Sequence, residues 1–466
     1  MSLQRRMAGI WRGRLLPGSL LLCGCSMASA GVAPRAAVGP SGVAAAGANA
    51  ASAAGANAGT APERDEIAGN AARMIDEGRR TFRYDTFGDE VFWSDALQLN
   101  KAIAGQANGG VGPGVSPRGA LSLGLKVDAA ALPAELAAQI KADKVNLDDP
   151  ATTLSLLKLD AVIGLKGTAV KDGAMRLGIT CALCHSTVDD SVSTGIGKRL
   201  DGWPNRDLNV GAIISLAPDL STVTKLLGVE EPMLRKVLAL WGPGKFDAQL
   251  FLDGKTVRPD RHTGATLIPA AFGLAGVNLA TYGGAGSVSY WNALVANLEM
   301  HGQGTFFDPR LDQYPIAARA GSGNVRSQVD LVTPKLAALH FYQLAIPPPQ
   351  PRAGTFDVAA ARRGEAVFNG PGKCATCHVP PLFTEPGFNL HSPAEIGIDD
   401  FQANRSPTRQ YRTTPLRGLS ARRKGGYFHD GRFPRLRTVV EHYDKTFGLH
   451  LTGAQVAELV EYLNSL

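Results

Sequence analysis

The last sixteen residues, "LTGAQVAELVEYLNSL", place Val456, Leu459, Val460 and Leu463 three and four apart. That spacing draws one apolar stripe and predicts an amphipathic helix. Thr452 and Gln455 stand before it as a capping box. "DVAAARRGEAVF", Asp357 to Phe368, predicts a second helix. In it Gly364 and Phe368 lie four apart, and in the last helix Leu459 and Tyr462 lie three apart. A glycine lets two helices cross closely, with aromatics beside the contact. The same spacing of glycine and aromatic recurs at Gly78 and Phe82, so an equivalent helix is expected there. "AELAAQIKAD" predicts a further helix inside residues 83–178, which read as a long insertion of unread role.

Between these patterned stretches the chain changes character. Residues 31–61, with "GVAAAGANAASAAGANAG", cannot bury a core and read as a flexible tether. "IPPPQPRAG" is a stiff Pro-rich break. The body therefore divides into residues 62–346, a linker at 347–354, and residues 355–466. Residues 1–30 read as a signal peptide. Arg5, Arg6, Arg12 and Arg14 precede a short apolar core, and "ASA" fits a cleavage site. The apolar run is too short for a membrane anchor. "LCGC" also resembles a loose lipoprotein box, with Cys25 as the lipidated residue. Both readings imply export, with the periplasm as the expected location.

The candidate chemistry lies in "CALCH", residues 181–185, and "CATCH", residues 374–378, 193 positions apart. Adjacent ligands of this kind cannot close round one zinc ion without donors from further away. The spacing suits covalent haem: Cys181 and Cys184, or Cys374 and Cys377, take the two vinyl groups. His185 or His378 then reaches the iron. Two haems c are expected. Of six cysteines these motifs use four, and Cys23 and Cys25 lie in the leader, so none remains for a disulfide.

Net charge is +7, and removing the four leader arginines leaves +3. The propionates of two haems would bring it close to zero, so the basic balance gives no case for nucleic acid. The arginines between Arg405 and Arg437 read as propionate partners or as a solvated basic face.

"RTTPLRGLSARRKGGYFHDGRFPRLRTVVEHYD", Arg412 to Asp444, resembles the C-terminal haem domain of the bacterial dihaem cytochrome c peroxidase superfamily. That group includes the dihaem enzymes of methylamine utilisation and, more distantly, the haem-containing rubber oxygenases. The helix pair crossing at Gly364 resembles the terminal crossing of cytochrome c. Weaker likeness runs through "DGWPNRDLNVGAI", "GATLIPAAFGL" and "YWNALVANLEMHGQG". The resemblance implies a mainly α fold with two cytochrome c-like haem domains, the first carrying the insertion. One haem would react and the other relay electrons.

The sequence departs from that pattern twice. No His occurs between His185 and His262, where the peroxidases carry a distal ligand, so the first haem is expected to have an open face. The last Met is Met300, so no Met can serve the second haem from its own domain. Its sixth ligand must come from Tyr443, His442, His429, His391 or His450, or be absent. The family's Met position falls on Tyr443. His442 and Tyr443 are adjacent, so on a helix they point about 100° apart and only one can face the iron. Glu299 resembles the family's distal acid, with His301 and Gln303 as lesser candidates. Trp203 is expected between the haems or at a haem edge. Tyr290, Trp291, Phe306 and Phe307 are candidate walls of an apolar pocket or plain core.

The leading expectation is a periplasmic dihaem peroxidase-like enzyme, supplied by a small redox donor protein and using hydrogen peroxide or dioxygen. A dihaem oxygenase acting on an apolar substrate, and a plain electron carrier, are the alternatives.

Overall fold

The computed structural model describes residues 61–169 and 175–466. The expected signal peptide, Cys25 and nearly all of the Ala/Gly-rich tether lie outside them. Ala61 already opens the first helix, Ala61–Tyr84. Residues from Thr60 to Leu466 form one compact unit. It is mainly helical, about 44% of residues. Sheet among the described residues is limited to five two-stranded pairings. None of the described helices is long and apolar enough to cross a membrane.

Two helix crossings of the same design frame the molecule. Helix Val358–Asn369 crosses the last helix, Gly453–Asn464, at Gly364. A Cβ there would stand 1.9 Å from the Glu458 carbonyl oxygen and 2.9 Å from Tyr462 Cβ. Helix Ala61–Tyr84 crosses Leu336–Ala345 at Gly78, where a Cβ would stand 2.0 Å from the Ala338 oxygen and 2.6 Å from Tyr342 Cβ. Only glycine permits either approach. Each crossing is flanked by an edge-on aromatic pair. Phe368 meets Tyr462 at 5.2 Å and 63°, and Phe82 meets Tyr342 at 5.6 Å and 62°. The sequence pattern gave both glycine helices and the last helix. The fourth, Leu336–Ala345, repeats the spacing of Glu458 to Tyr462 in Ala338 to Tyr342.

Caps fix the ends of these helices. Asp357 accepts from the Ala360 N–H, and the Thr452–Gln455 capping box is formed.

The insertion is half of a core rather than an appendage. Its helices Leu99–Ala104, Pro117–Ser122, Ala134–Lys141 and Pro150–Lys158 bury Leu99, Ile103, Ile140, Leu156 and Leu157. These share one cluster with Leu234, Val237, Leu238 and Trp241 of helix Glu231–Trp241. The predicted "AELAAQIKAD" helix is Ala134–Lys141. Strand Leu165–Ala169 pairs antiparallel with Met175–Ile179, which leads into Cys181. Gly164, at φ +85°, brings the insertion so close to the first haem motif that a Cβ would stand 2.1 Å from Leu183 Cα.

Candidate functional site

Each Cys-x-x-Cys-His motif opens onto a cavity. Cys181, Cys184 and His185 line one of about 300 Å³. Cys374, Cys377 and His378 line another of about 540 Å³. Both lie in the size range of small-molecule sites. His185 Nδ1 lies 3.1 Å from the Pro269 oxygen, and His378 Nδ1 lies 3.0 Å from the Phe383 oxygen. Each Nδ1 donates in the tautomer that leaves Nε2 free as a ligand. Burial lowers both histidines, His185 to about 4. They stay neutral, as a metal ligand must.

The cavities adjoin. Pro269, Ala270, Leu274, Thr281, Tyr282 and Arg412 line both. The carbonyl that holds His185 therefore belongs to the wall shared with the second cavity.

Around the first cavity, Glu299 ends a π-turn, Val295–Glu299, that continues helix Val288–Leu294. It lines the cavity, and its Oε2 is buried with no hydrogen-bond partner. Burial raises its carboxyl to about 8, with the Asp247 charge adding to the rise. Trp291 and Tyr290 line the same cavity. The Trp291 Nε1 is unpaired, and Tyr290 donates to Asp308 at 2.6 Å. The expected wall residues Phe306 and Phe307 do not line it. Phe306 packs in the core beside Tyr290, and Phe307 is 61% exposed. His301 and Gln303 also lie off the cavity lining. His301 stacks on Phe92, and the Gln303 amide donates to the Gly88 oxygen. Backbone geometry explains this: His301 takes a left-handed φ of 62°, which turns the chain away after Glu299.

At the second cavity the adjacent pair His442 and Tyr443 divides as helical geometry requires. Tyr443, on helix Leu436–Phe447, lines the cavity. Burial raises its hydroxyl above the ordinary value, with Cys377 and Cys374 adding to the rise. His442 does not line it, and its Nε2 is 3.0 Å from the Ile396 oxygen. His391 lines the cavity but is held by Glu395 at 2.7 Å and Glu385 at 2.6 Å, and its pKa is raised. Burial opposes that rise, and the two carboxylates outweigh it. His429 is buried, lines the cavity and stacks on Tyr411, with Asp399 3.4 Å from its Nε2. His450 is exposed.

The arginines separate into two groups. Arg405 is fully buried against Asp247 and Asp253, and Arg432 pairs with Asp430 and Asp399. Arg437 pairs with Glu441 at the surface. Arg206, Arg412 and Arg422 line the second cavity and have no carboxylate partner among the described residues. They donate only to backbone carbonyls: Arg206 to Lys424, Arg412 to Thr281, and Arg422 to Pro415 and Arg417. Burial lowers Arg412 and Arg422 to about 10, and for Arg422 the neighbouring Arg412 and Arg206 charges add to the drop. Buried guanidiniums crowded together without an anion fit the propionates of a haem. The propionate reading of Arg405–Arg437 thus narrows to Arg412 and Arg422. Arg206, outside that run, carries no sequence signal of its own.

Trp203 lines neither cavity. Its ring meets Phe272 edge-on at 6.5 Å, and Phe272 lines the second. It stands one ring behind the wall rather than in it.

The donor sets, the lowered histidine pKa values and the arginines without carboxylate partners fit a bound haem. No family model matches the chain. It is similar to the methylamine utilization protein MauG of Methylorubrum extorquens, 36% identical over 92 residues. That match covers 19% of this chain and 26% of the relative. MauG of Methylophilus methylotrophus is 35% identical over 95 residues, 18% of this chain and 26% of the relative. The chain thus spans about a quarter of the length of these curated relatives. The dihaem cytochrome c peroxidase superfamily is the one it resembles. Among solved structures, a MauG-like protein associated with microbial copper homeostasis aligns at 17% identity and a TM-score of 0.31, over 47% of this chain and 79% of that one. A hydrazine synthase from Kuenenia stuttgartiensis aligns at 15% identity and a TM-score of 0.28, over 49% of this chain and 92% of that one.

Proposed function

We propose that the protein is a periplasmic dihaem oxidoreductase of peroxidase type, built from two cytochrome c-like units, residues 62–346 and 355–466. Cys181, Cys184 and His185 hold a reactive first haem. Cys374, Cys377 and His378 hold a relay haem. The observation that carries this reading is the pair of motif-fronted cavities sharing one wall, with three guanidiniums at the second that have no carboxylate partner among the described residues. The repeated glycine crossing, one beside each motif, supports the two-unit organisation.

When bound, the haems supply one-electron exchange and activation of peroxide. The chain's own residues do the rest. Glu299 keeps a proton in a water-poor site near neutral pH and is placed to deliver or accept it at the open face of the first cavity. Trp291 and Tyr290 exclude water beside it. Tyr443 lines the second cavity with no hydrogen-bond partner for its hydroxyl among the described residues and would hold the second haem from the face opposite His378. A tyrosinate donor stabilises ferric iron. The Pro269–Ala270 backbone and the Tyr282 ring fill the short wall between the sites, with Trp203 behind Phe272. A small donor protein supplies electrons, and hydrogen peroxide is the oxidant. Cys25 is a candidate lipid anchor.

The test is haem stoichiometry with turnover. Protein matured in a periplasm should carry two covalent haems, and Cys181→Ala with Cys184→Ala should lose one. The intact protein should consume peroxide with a reduced donor. A ratio of one haem refutes the dihaem reading. Two haems without peroxide turnover would refute the peroxidase reading, and oxygen consumption with an apolar alkene would then separate an oxygenase from an electron carrier.

A further inference from the structure

The start of the insertion, residues 86–94, grips both sides of the first cavity. On one side it holds the strand that runs into Cys181. Ser94 Oγ donates to the Leu177 oxygen at 2.9 Å and sits 2.6 Å from the Leu177 N. The buried Asp89 carboxyl, raised to about 9 by burial, accepts the Ile179 N–H at 3.2 Å. On the other side it holds the segment that leaves Glu299. Trp93 Nε1 donates to the Met300 oxygen at 3.0 Å. Phe92 stacks on His301 at 3.6 Å and 22°. Gln303 donates through its backbone N to the Phe87 oxygen at 2.8 Å and through its side chain to the Gly88 oxygen at 3.0 Å.

These contacts meet at an irregular stretch of backbone. The Glu299 turn is a π-turn, closed by the Met300 N–H on the Val295 oxygen at 2.8 Å. Such turns are rare and are found mostly at functional sites. His301 follows in the left-handed region, a conformation that costs a non-glycine residue free energy. Met300 is 3% exposed and Trp93 6%, so the bond between them is shielded from water.

We infer that Trp93, backed by Phe92, is a positioning residue that fixes the Glu299 turn relative to the strand carrying the first haem motif. The insertion then works as a brace across the cavity, setting the separation of the distal carboxyl from the proximal side. This inference rests on Glu299 being the distal proton carrier proposed above.

Few charges compete in setting the titration of Glu299. Asp247 faces it and is itself paired with Arg405. Cys184 lies near, and in the haem-loaded protein its sulfur is an uncharged thioether. His301, lowered to about 4 by burial, is neutral. The carboxyl is held high mainly by exclusion of water, and a loosened turn admits water.

The experiment follows the pH-dependent absorption spectrum of the oxidised, haem-loaded protein, with no turnover involved. Glu299→Gln should abolish the transition of this carboxyl, which burial lifts above the ordinary carboxylate range. Trp93→Phe keeps a ring and removes the donor. It should move the midpoint down by about half to one pH unit, the size of one net hydrogen bond expressed as a pKa. Phe92→Leu should move it the same way, and it carries the test if Trp93→Phe does not fold. Trp241→Phe is the control. Trp241 is equally buried, but its Nε1 has no partner to lose, so the midpoint should stay. Loss of the transition in Glu299→Gln with no shift in Trp93→Phe or Phe92→Leu overturns the brace and leaves Glu299 standing. Equal shifts in Trp93→Phe and Trp241→Phe also overturn it. A transition left unchanged by Glu299→Gln but lost in Asp89→Asn, whose carboxyl burial raises to about 9, overturns the assignment of Glu299, and the inference with it.

Discussion

Replacing Gly78 by alanine sets two opposite effects against each other. In an open helix the change is favourable by about 1 kcal/mol, because alanine loses less backbone freedom. At the crossing the new Cβ would stand 2.0 Å from the Ala338 oxygen, where ordinary contact begins near 3.4 Å. The atom in the way is backbone, so rotamer change cannot relieve it. The helices must part by more than 1 Å, which also separates Phe82 from Tyr342. Overpacking of this kind costs about 1–3 kcal/mol or more. The contact is with backbone and very short, so the cost stands at the upper end of that range, and Gly78→Ala should lose up to about 2 kcal/mol net. Gly364→Ala, with its 1.9 Å contact, should behave alike. Gly69→Ala lies on the same helix as Gly78 but meets nothing within 4 Å, so it should gain up to about 1 kcal/mol. Thermal unfolding of the haem-loaded protein, followed by far-ultraviolet circular dichroism, separates the signs. A Gly78→Ala protein as stable as Gly69→Ala would refute the close crossing.

Arg405→Met should cost about 3–5 kcal/mol by stranding Asp247 and Asp253 in the interior. Burial already raises Asp247 to about 6 despite Arg405. A carboxyl raised on folding weakens the fold as pH climbs from its ordinary value, about 4, through its folded value. Loss of Arg405 raises it further, so the deficit in melting temperature should be small in acid and grow toward neutrality; a deficit independent of pH contradicts this. Tyr443→Phe should change the second haem's spectrum with both haems still attached, and an unchanged spectrum removes Tyr443 as a ligand. Glu299→Gln should slow peroxide consumption about 10²- to 10⁴-fold in stopped-flow measurements, without loss of haem.

What the sequence made legible was local and periodic. Gly364 with Phe368, and Gly78 with Phe82, announced crossings because a helix packed at a glycine leaves a fixed spacing to its aromatic neighbour. The choice between His442 and Tyr443 reduced to helical angle, and the fold puts Tyr443 on the cavity. The insertion stayed opaque because its worth is tertiary. Trp93 matters for a carbonyl 207 positions away, and no local pattern records that. Arg206 was equally hidden, being a single basic residue whose meaning lies in Arg412 and Arg422 beside it. Phe306 and Phe307 show the limit of alternation: a short strand sends one ring into the core and the next into solvent, and neither reaches the cavity.

The proposed division of labour sets an open first haem beside a second haem closed by Tyr443. Low-temperature electron paramagnetic resonance of the oxidised protein, titrated with cyanide, tests it most directly. The expected spectrum holds a high-spin ferric signal that cyanide converts, beside a low-spin signal that cyanide leaves alone and that Tyr443→Phe alters. A resting protein that is wholly low-spin and indifferent to cyanide would contradict it.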